Sequence, residues 1–169
     1  MNKLIASFQV DHTRIGYGIF VSRRDIVNGA YITTFDVRMR RPNVEPAIHP
    51  NAMHTIEHIV ATYLRNSKFS DRVVYWGPMG CLTGFYFITN TVHEIMPQEI
   101  EKLMKAAFKH MATYKGAVPG ATAVNCGNYL LHDLPMAKYE ARRFLGQEWC
   151  FDYPKARRVK AGDRTFYDA

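Results

Sequence analysis

The chain has 169 residues, 47% of them hydrophobic and 22% charged, ordinary values for one globular domain with a substantial core. No run of about 18 apolar residues occurs, which argues against a transmembrane helix, and residues 1–8 lack the long apolar segment of a secretory signal. The formal charge is +7, but basic residues concentrate late, at 155–160 and Arg164, and read as a solvated tail rather than a nucleic-acid surface.

Residues 4–10 are expected to be a short extended segment ending at Asp11-His12. Strands are expected over 18–23 and 31–38, the second rich in β-branched and aromatic residues, with Asn28-Gly29 suited to a connecting turn. Arg38 ends that second strand and either faces a cleft or is an edge-strand charge on solvent. Pro42, Pro46 and Pro50 make the next stretch a loop. Helical spacing of Met53, Ile56, Ile59, Val60, Tyr63 and Leu64 predicts a helix over 52–66. Further strands are expected over 73–76 and 83–89, antiparallel to each other and joined by a turn that carries Cys81. Pro97 with Glu99 and Glu101 opens a second helix that Gly116 to Gly120 breaks. A third runs from Asp133 as N-cap to about Gly146, with Pro135 in its first turn. Short turns between neighbouring strands argue for an α+β two-layer domain, an antiparallel sheet with helices packed on one face. A single domain is expected over 1–150, with 151–169 as its basic extension.

Within the first helix lies His54-Thr55-Ile56-Glu57-His58. The i, i+4 spacing sends both imidazoles off one helix face, where they can bind one metal ion. Glu57 projects beside them and can move protons without being a ligand. The order His-x-x-Glu-His is that of inverted zinc peptidases; a solvated helix with two exposed histidines is the plainer reading. A catalytic metal needs a third protein ligand. Cys126 is attractive, because Cys126-Gly127 lets the backbone approach closely and a thiolate suits Fe(II), Zn(II) or Co(II). Cys81, in Gly77-Pro78-Met79-Gly80-Cys81-Leu82-Thr83-Gly84, reads as a presented thiol able to act as base or acid. Either cysteine read plainly is a small buried apolar residue. The three cysteines include no CxxC pair and fit a reducing, cytoplasmic setting. Cys150 reads as a bystander.

Several motifs in order resemble the LuxS family, the S-ribosylhomocysteine lyases of autoinducer-2 synthesis. They are Ser7-Phe8 with Asp11-His12, Phe35-Asp36-Val37-Arg38, Arg41-Pro42-Asn43, and the His54–His58 pentapeptide. Pro78-Met79-Gly80-Cys81-Leu82-Thr83-Gly84, Cys126-Gly127 and Leu131-His132-Asp133-Leu134 complete the series. The resemblance implies a LuxS/metallopeptidase-like fold and one divalent metal per subunit, Fe(II) natively with Zn or Co as alternatives, on His54, His58 and Cys126. It implies Cys81 and Glu57 as the acid–base pair, and Ser7, His12 and Arg38 around the substrate, with sites shared across a homodimer. It implies no redox or nucleotide cofactor; from charge and hydropathy, neither nucleic acid nor membrane is expected as partner. The expected reaction splits S-ribosylhomocysteine into homocysteine and 4,5-dihydroxy-2,3-pentanedione by two carbonyl shifts and a β-elimination. Family members usually carry Asp-Ile-Ser before the Pro-Met-Gly-Cys run; here Tyr75-Trp76-Gly77 stands there, which bears on recognition of the homocysteine end. The alternatives weighed are an inverted-motif metallopeptidase and a non-catalytic metal-binding or RNA-binding module.

Overall fold

A computed structural model describes residues 10–154. The expected segment at 4–10, except its last residue, together with Ser7 and the basic tail from Lys155, lies outside the described residues. Two long strands come first, β1 (Gly18–Val27) and β2 (Ala30–Arg38). Asn28 and Gly29 join them with φ of 49° and 81°, the positive pair of a type I′ hairpin turn. Helix α1 (Pro50–Arg65) follows the proline-rich loop. Its N-cap is His49, whose Nδ1 accepts from the Asn51 amide at 3.3 Å. Strands β3 (Val73–Pro78) and β4 (Gly84–Thr91), then helices α2 (Pro97–Thr113) and α3 (Leu134–Leu145), complete the fold. Asp133 caps α3 as expected, its carboxylate accepting from the Met136 amide at 2.9 Å.

The four strands form one antiparallel sheet in the order β1-β2-β4-β3. Strand β2 is therefore interior, and Arg38 is a buried residue (3% exposed) rather than an edge charge on solvent. Period-two alternation gives β2 two different faces. Phe35 and Val37 join Phe85 and Phe87 of β4 in the core beneath the helices. Asp36 and Arg38 point off the opposite face, where they are also buried. Helix α1 contributes Met53, Ile56, Ile59, Val60 and Leu64 to the core, each burial worth about 1.5–3 kcal/mol relative to exposure. His54 and His58 flank that stripe and stay half-buried, at the margin where the helical spacing puts them.

Two long-range ties close the layers. Arg40 and Glu140 form a buried ion pair, with side chains 8% and 5% exposed, and Arg40 Nε donates to the Pro46 carbonyl at 3.1 Å. This joins the proline-rich loop to α3. Glu140→Ala would leave the guanidinium buried without its carboxylate and is expected to cost about 3–5 kcal/mol of stability. Urea unfolding checks this as a lower midpoint at unchanged slope. At the other edge, Cys150 pairs with Gly18. The Cys150 amide donates to the Tyr17 carbonyl at 2.8 Å and its carbonyl accepts from Ile19 at 2.9 Å. A Cβ on Gly18 would overlap the Cys150 backbone, so this close approach requires glycine.

Candidate functional site

His54 and His58 leave α1 one turn apart and meet edge to face, centroids 4.6 Å apart. His54 Nδ1 lies 2.8 Å from the Leu131 carbonyl and His58 Nδ1 lies 2.7 Å from the Pro119 carbonyl. A carbonyl only accepts, so each Nδ1 carries the proton and each Nε2 presents a lone pair. Gly120, next to Pro119, has φ of +67° and sits against the His58 ring, a left-handed position that glycine takes without strain.

The same loop brings in Cys126. Its Sγ stands 3.4 Å from His54 Nε2 and 3.7 Å from His58 Nε2. One tetrahedral ion with metal–nitrogen bonds of about 2.0–2.1 Å and a metal–sulfur bond of about 2.3 Å would hold nitrogen and sulfur about 3.6 Å apart. The donor set and its spacing thus fit a divalent transition metal. His132 is the fourth member, and the ligand atoms of all four lie within 4.8 Å of one another. Burial, then the neighbouring His54 and His58, pull the His132 imidazole below its usual pKa. Among the described residues the group contains no carboxylate, unlike the ligand set expected of an inverted-motif peptidase. Glu57 is half-buried immediately before His58 on α1 and lies outside the group.

Cys81 belongs to a second cluster. Its turn closes by the Leu82 amide donating to the Met79 carbonyl at 2.9 Å, and Leu82 is held at φ of 57°, a strained value for a bulky residue. The Ile48 amide donates to the Leu82 carbonyl, and the Met39 and Arg40 amides to that of Thr83, which tie the turn down. Cys81 itself is exposed. Its Sγ lies 3.0 Å from Thr83 Oγ1 and 3.9 Å from an Arg38 terminal nitrogen. Arg38 donates to Asp36 through two nitrogens, at 3.1 and 2.5 Å, and to Thr83 Oγ1 at 2.5 Å. The Tyr153 hydroxyl donates to Asp36 at 2.9 Å while its ring stacks on Phe20. Burial pushes the Asp36 carboxyl up, against the opposing pull of Arg38 and Tyr153. Burial likewise pushes the Tyr153 phenol up, and the Asp36 carboxylate adds to that. A cleft of about 330 Å³ opens here, its walls including His12, Asn43, Glu45, Cys81 and Thr83. His12 reaches it with Nδ1 2.9 Å from the Val10 carbonyl.

The sequence-predicted residues thus fall into two groups. His54, His58 and Cys126 converge with Glu57 beside them; His12, Arg38 and Cys81 gather elsewhere. None of the four metal-group residues lines the Cys81 cleft, and Arg38 projects from the sheet face opposite the helices. Tyr75 is 46% exposed, and its phenol lies over Gly77, where a Cβ would collide with it. The Tyr-x-Gly pair that replaces the usual Asp-x-Ser is therefore a single packing unit.

No sequence pattern marks His132, Thr55, Thr83, Asp36 or Tyr153 as a site residue. Alternation along Phe35-Asp36-Val37-Arg38 does put Asp36 on the Arg38 face. His132 precedes an N-cap in a loop, where no periodicity marks it.

Known proteins supply independent evidence. The family model for S-Ribosylhomocysteinase (LuxS) matches residues 5–152. A protein of Phocaeicola vulgatus named S-ribosylhomocysteine lyase is 54% identical over 144 residues, 85% of this chain and 88% of its own. One of the same name from Porphyromonas gingivalis is 51% identical over 142 residues, 83% and 88% of the two chains. Another from Borreliella burgdorferi is 44% identical over 144 residues, 85% and 90%. Motif series, metal group and relatives agree: the chain belongs to the LuxS family.

Proposed function

We propose that this protein is an S-ribosylhomocysteine lyase, a carbon–sulfur lyase that releases homocysteine and 4,5-dihydroxy-2,3-pentanedione. The observation that carries the reading is the convergence of His54 Nε2, His58 Nε2 and Cys126 Sγ at metal-ligand spacing in a chain of this family. His54, His58 and Cys126 would hold one divalent ion, Fe(II) by preference, with Zn or Co able to replace it. When bound, that ion supplies a Lewis acid that polarises the sugar carbonyl and acidifies the neighbouring C–H.

The protein's own groups then move the protons. Cys81, as thiolate, takes the proton from the hydroxyl-bearing carbon beside the carbonyl and returns it to the former carbonyl carbon, while the hydroxyl proton passes to the former carbonyl oxygen. Two such exchanges carry the carbonyl from C1 through C2 to C3. Glu57 removes the C4 proton as homocysteine leaves C5 as the thiolate, which then takes up a proton, and the C4–C5 enol left behind tautomerises to the dione. Arg38, held by Asp36, places a terminal nitrogen 3.9 Å from the Cys81 sulfur, where it would steady the anionic oxygens of the substrate. Ser7 and His12 take part in binding the substrate.

We propose further that the working unit is a homodimer in which the thiol site of one subunit meets the metal group of the other. The sheet stands between Arg38 and the helix layer within one subunit, and the loop around Cys126 exposes Val124 (92%) and Leu130 (76%). Exposed apolar side chains beside a site fit a subunit contact. Among the described residues no helix is long and apolar enough to cross a membrane. Free thiols at both clusters suit the cytoplasm. There the reaction would serve autoinducer-2 synthesis together with recycling of the methylation by-product. The reduced, metal-loaded protein is expected to release one titratable thiol per S-ribosylhomocysteine; no thiol release would overturn the lyase reading.

A further inference from the structure

His132 Nε2 is a buried imidazole nitrogen without a hydrogen-bond partner among the described residues, and its surroundings fix what it offers. Thr55 Oγ1 makes three contacts: the Asn51 carbonyl at 2.8 Å, the Asp133 amide at 2.9 Å and His132 Nδ1 at 3.2 Å. A hydroxyl has one proton and two lone pairs. The proton must go to the Asn51 carbonyl, which can only accept. The Asp133 amide, which can only donate, takes one lone pair. Only a lone pair remains, so His132 Nδ1 is the donor in the third contact. In the neutral ring Nε2 is then unprotonated and an acceptor.

The ring's attitude decides what Nε2 addresses. His132 lies on His54 with centroids 4.2 Å apart and planes 14° apart. Rings side by side in one plane would need their nearest atoms well inside the ~3.5–4.0 Å contact distance, so the two are stacked face to face. A nitrogen lone pair lies in its ring plane. An ion that His54 held in its ring plane, about 2.0–2.1 Å from the nitrogen, would therefore fall outside the plane of His132. The lone pair of His132 therefore points beside such an ion rather than at it.

We propose that His132 is a substrate-orienting acceptor, its Nε2 taking a hydrogen bond from a hydroxyl of the opened sugar, and is not a fourth metal ligand. The identity of the hydroxyl rests on the lyase reading; the acceptor does not. The test uses Co(II)-loaded protein carrying Cys81→Ala, so that S-ribosylhomocysteine binds without turnover, and follows the visible Co(II) band. Adding His132→Ala is expected to leave Co(II) stoichiometry and the resting band unchanged and to weaken S-ribosylhomocysteine binding about tenfold. His132→Gln, which restores an acceptor near the Nε2 position, recovers most of that affinity. His132→Phe keeps a stacked ring without the acceptor and reads the same loss if the alanine variant does not fold. Loss of Co(II) or a changed resting band would make His132 a ligand and overturn the proposal, as would unchanged sugar affinity. Failure of the lyase reading is seen separately, as absence of thiol release by the protein with Cys81 and His132 intact.

Discussion

Cys81→Ala is expected to lower turnover by about 10²–10⁴-fold, the usual contribution of a positioned acid or base, while each chain still binds one metal ion. The expectation follows from the separation of the two clusters. Cys81 touches Thr83 and Arg38 and is no part of the His54, His58, Cys126 and His132 group. Its turn is tied to the backbone at Met39, Arg40 and Ile48, so removing one exposed sulfur leaves the fold intact. Metal analysis beside a thiol-release assay checks both halves at once. If metal disappeared with activity, the roles assigned to the two cysteines would be exchanged.

Cys126→Ala should do the opposite, losing the metal first and activity as a consequence. Loss of an outer-shell partner typically costs 10–100-fold in metal affinity, and loss of a ligand should cost more. Cys126 sits in a loop outside the hydrophobic core, so far-UV circular dichroism is expected to stay at its wild-type value. The two inactive variants also test the shared site together. If each site combines the metal group of one subunit with the thiol site of the other, a mixed dimer of Cys81→Ala and Cys126→Ala chains contains one intact site. Subunit exchange should then restore thiol release. Mixtures that exchange subunits and stay inactive would place both groups in one chain.

Much of the fold is legible in the sequence because local signals agree with it. Asn28-Gly29 fixes the hairpin, the apolar stripe of 53–64 fixes α1, and Asp133 with Pro135 fixes the start of α3. His54 and His58 are legible for the same reason, since helical spacing alone places them on one face. Cys126 and His132 are harder, because they sit in a loop whose course depends on the Pro119 and Leu131 carbonyls finding the two histidines. Arg38 is the clearest limit. Whether it is an exposed edge charge or a buried one depends on strand order, and on Asp36 meeting Tyr153 from the far end of the chain. No local window contains that information.

Strand β2 carries a further consequence. Its alternating residues are committed on both sides, Phe35 and Val37 to the apolar layer, Asp36 and Arg38 to a buried charged pair. A one-residue slip in pairing would exchange the two sets. It would bring an ion pair among Phe85 and Phe87 and strip Arg38 of its place beside Thr83 and Cys81. A strand with one solvated face would suffer only half of that error. The buried charged pair beside Cys81 therefore also proofreads the alignment of the sheet, so a misregistered chain loses its core and the Arg38–Thr83–Cys81 cluster together.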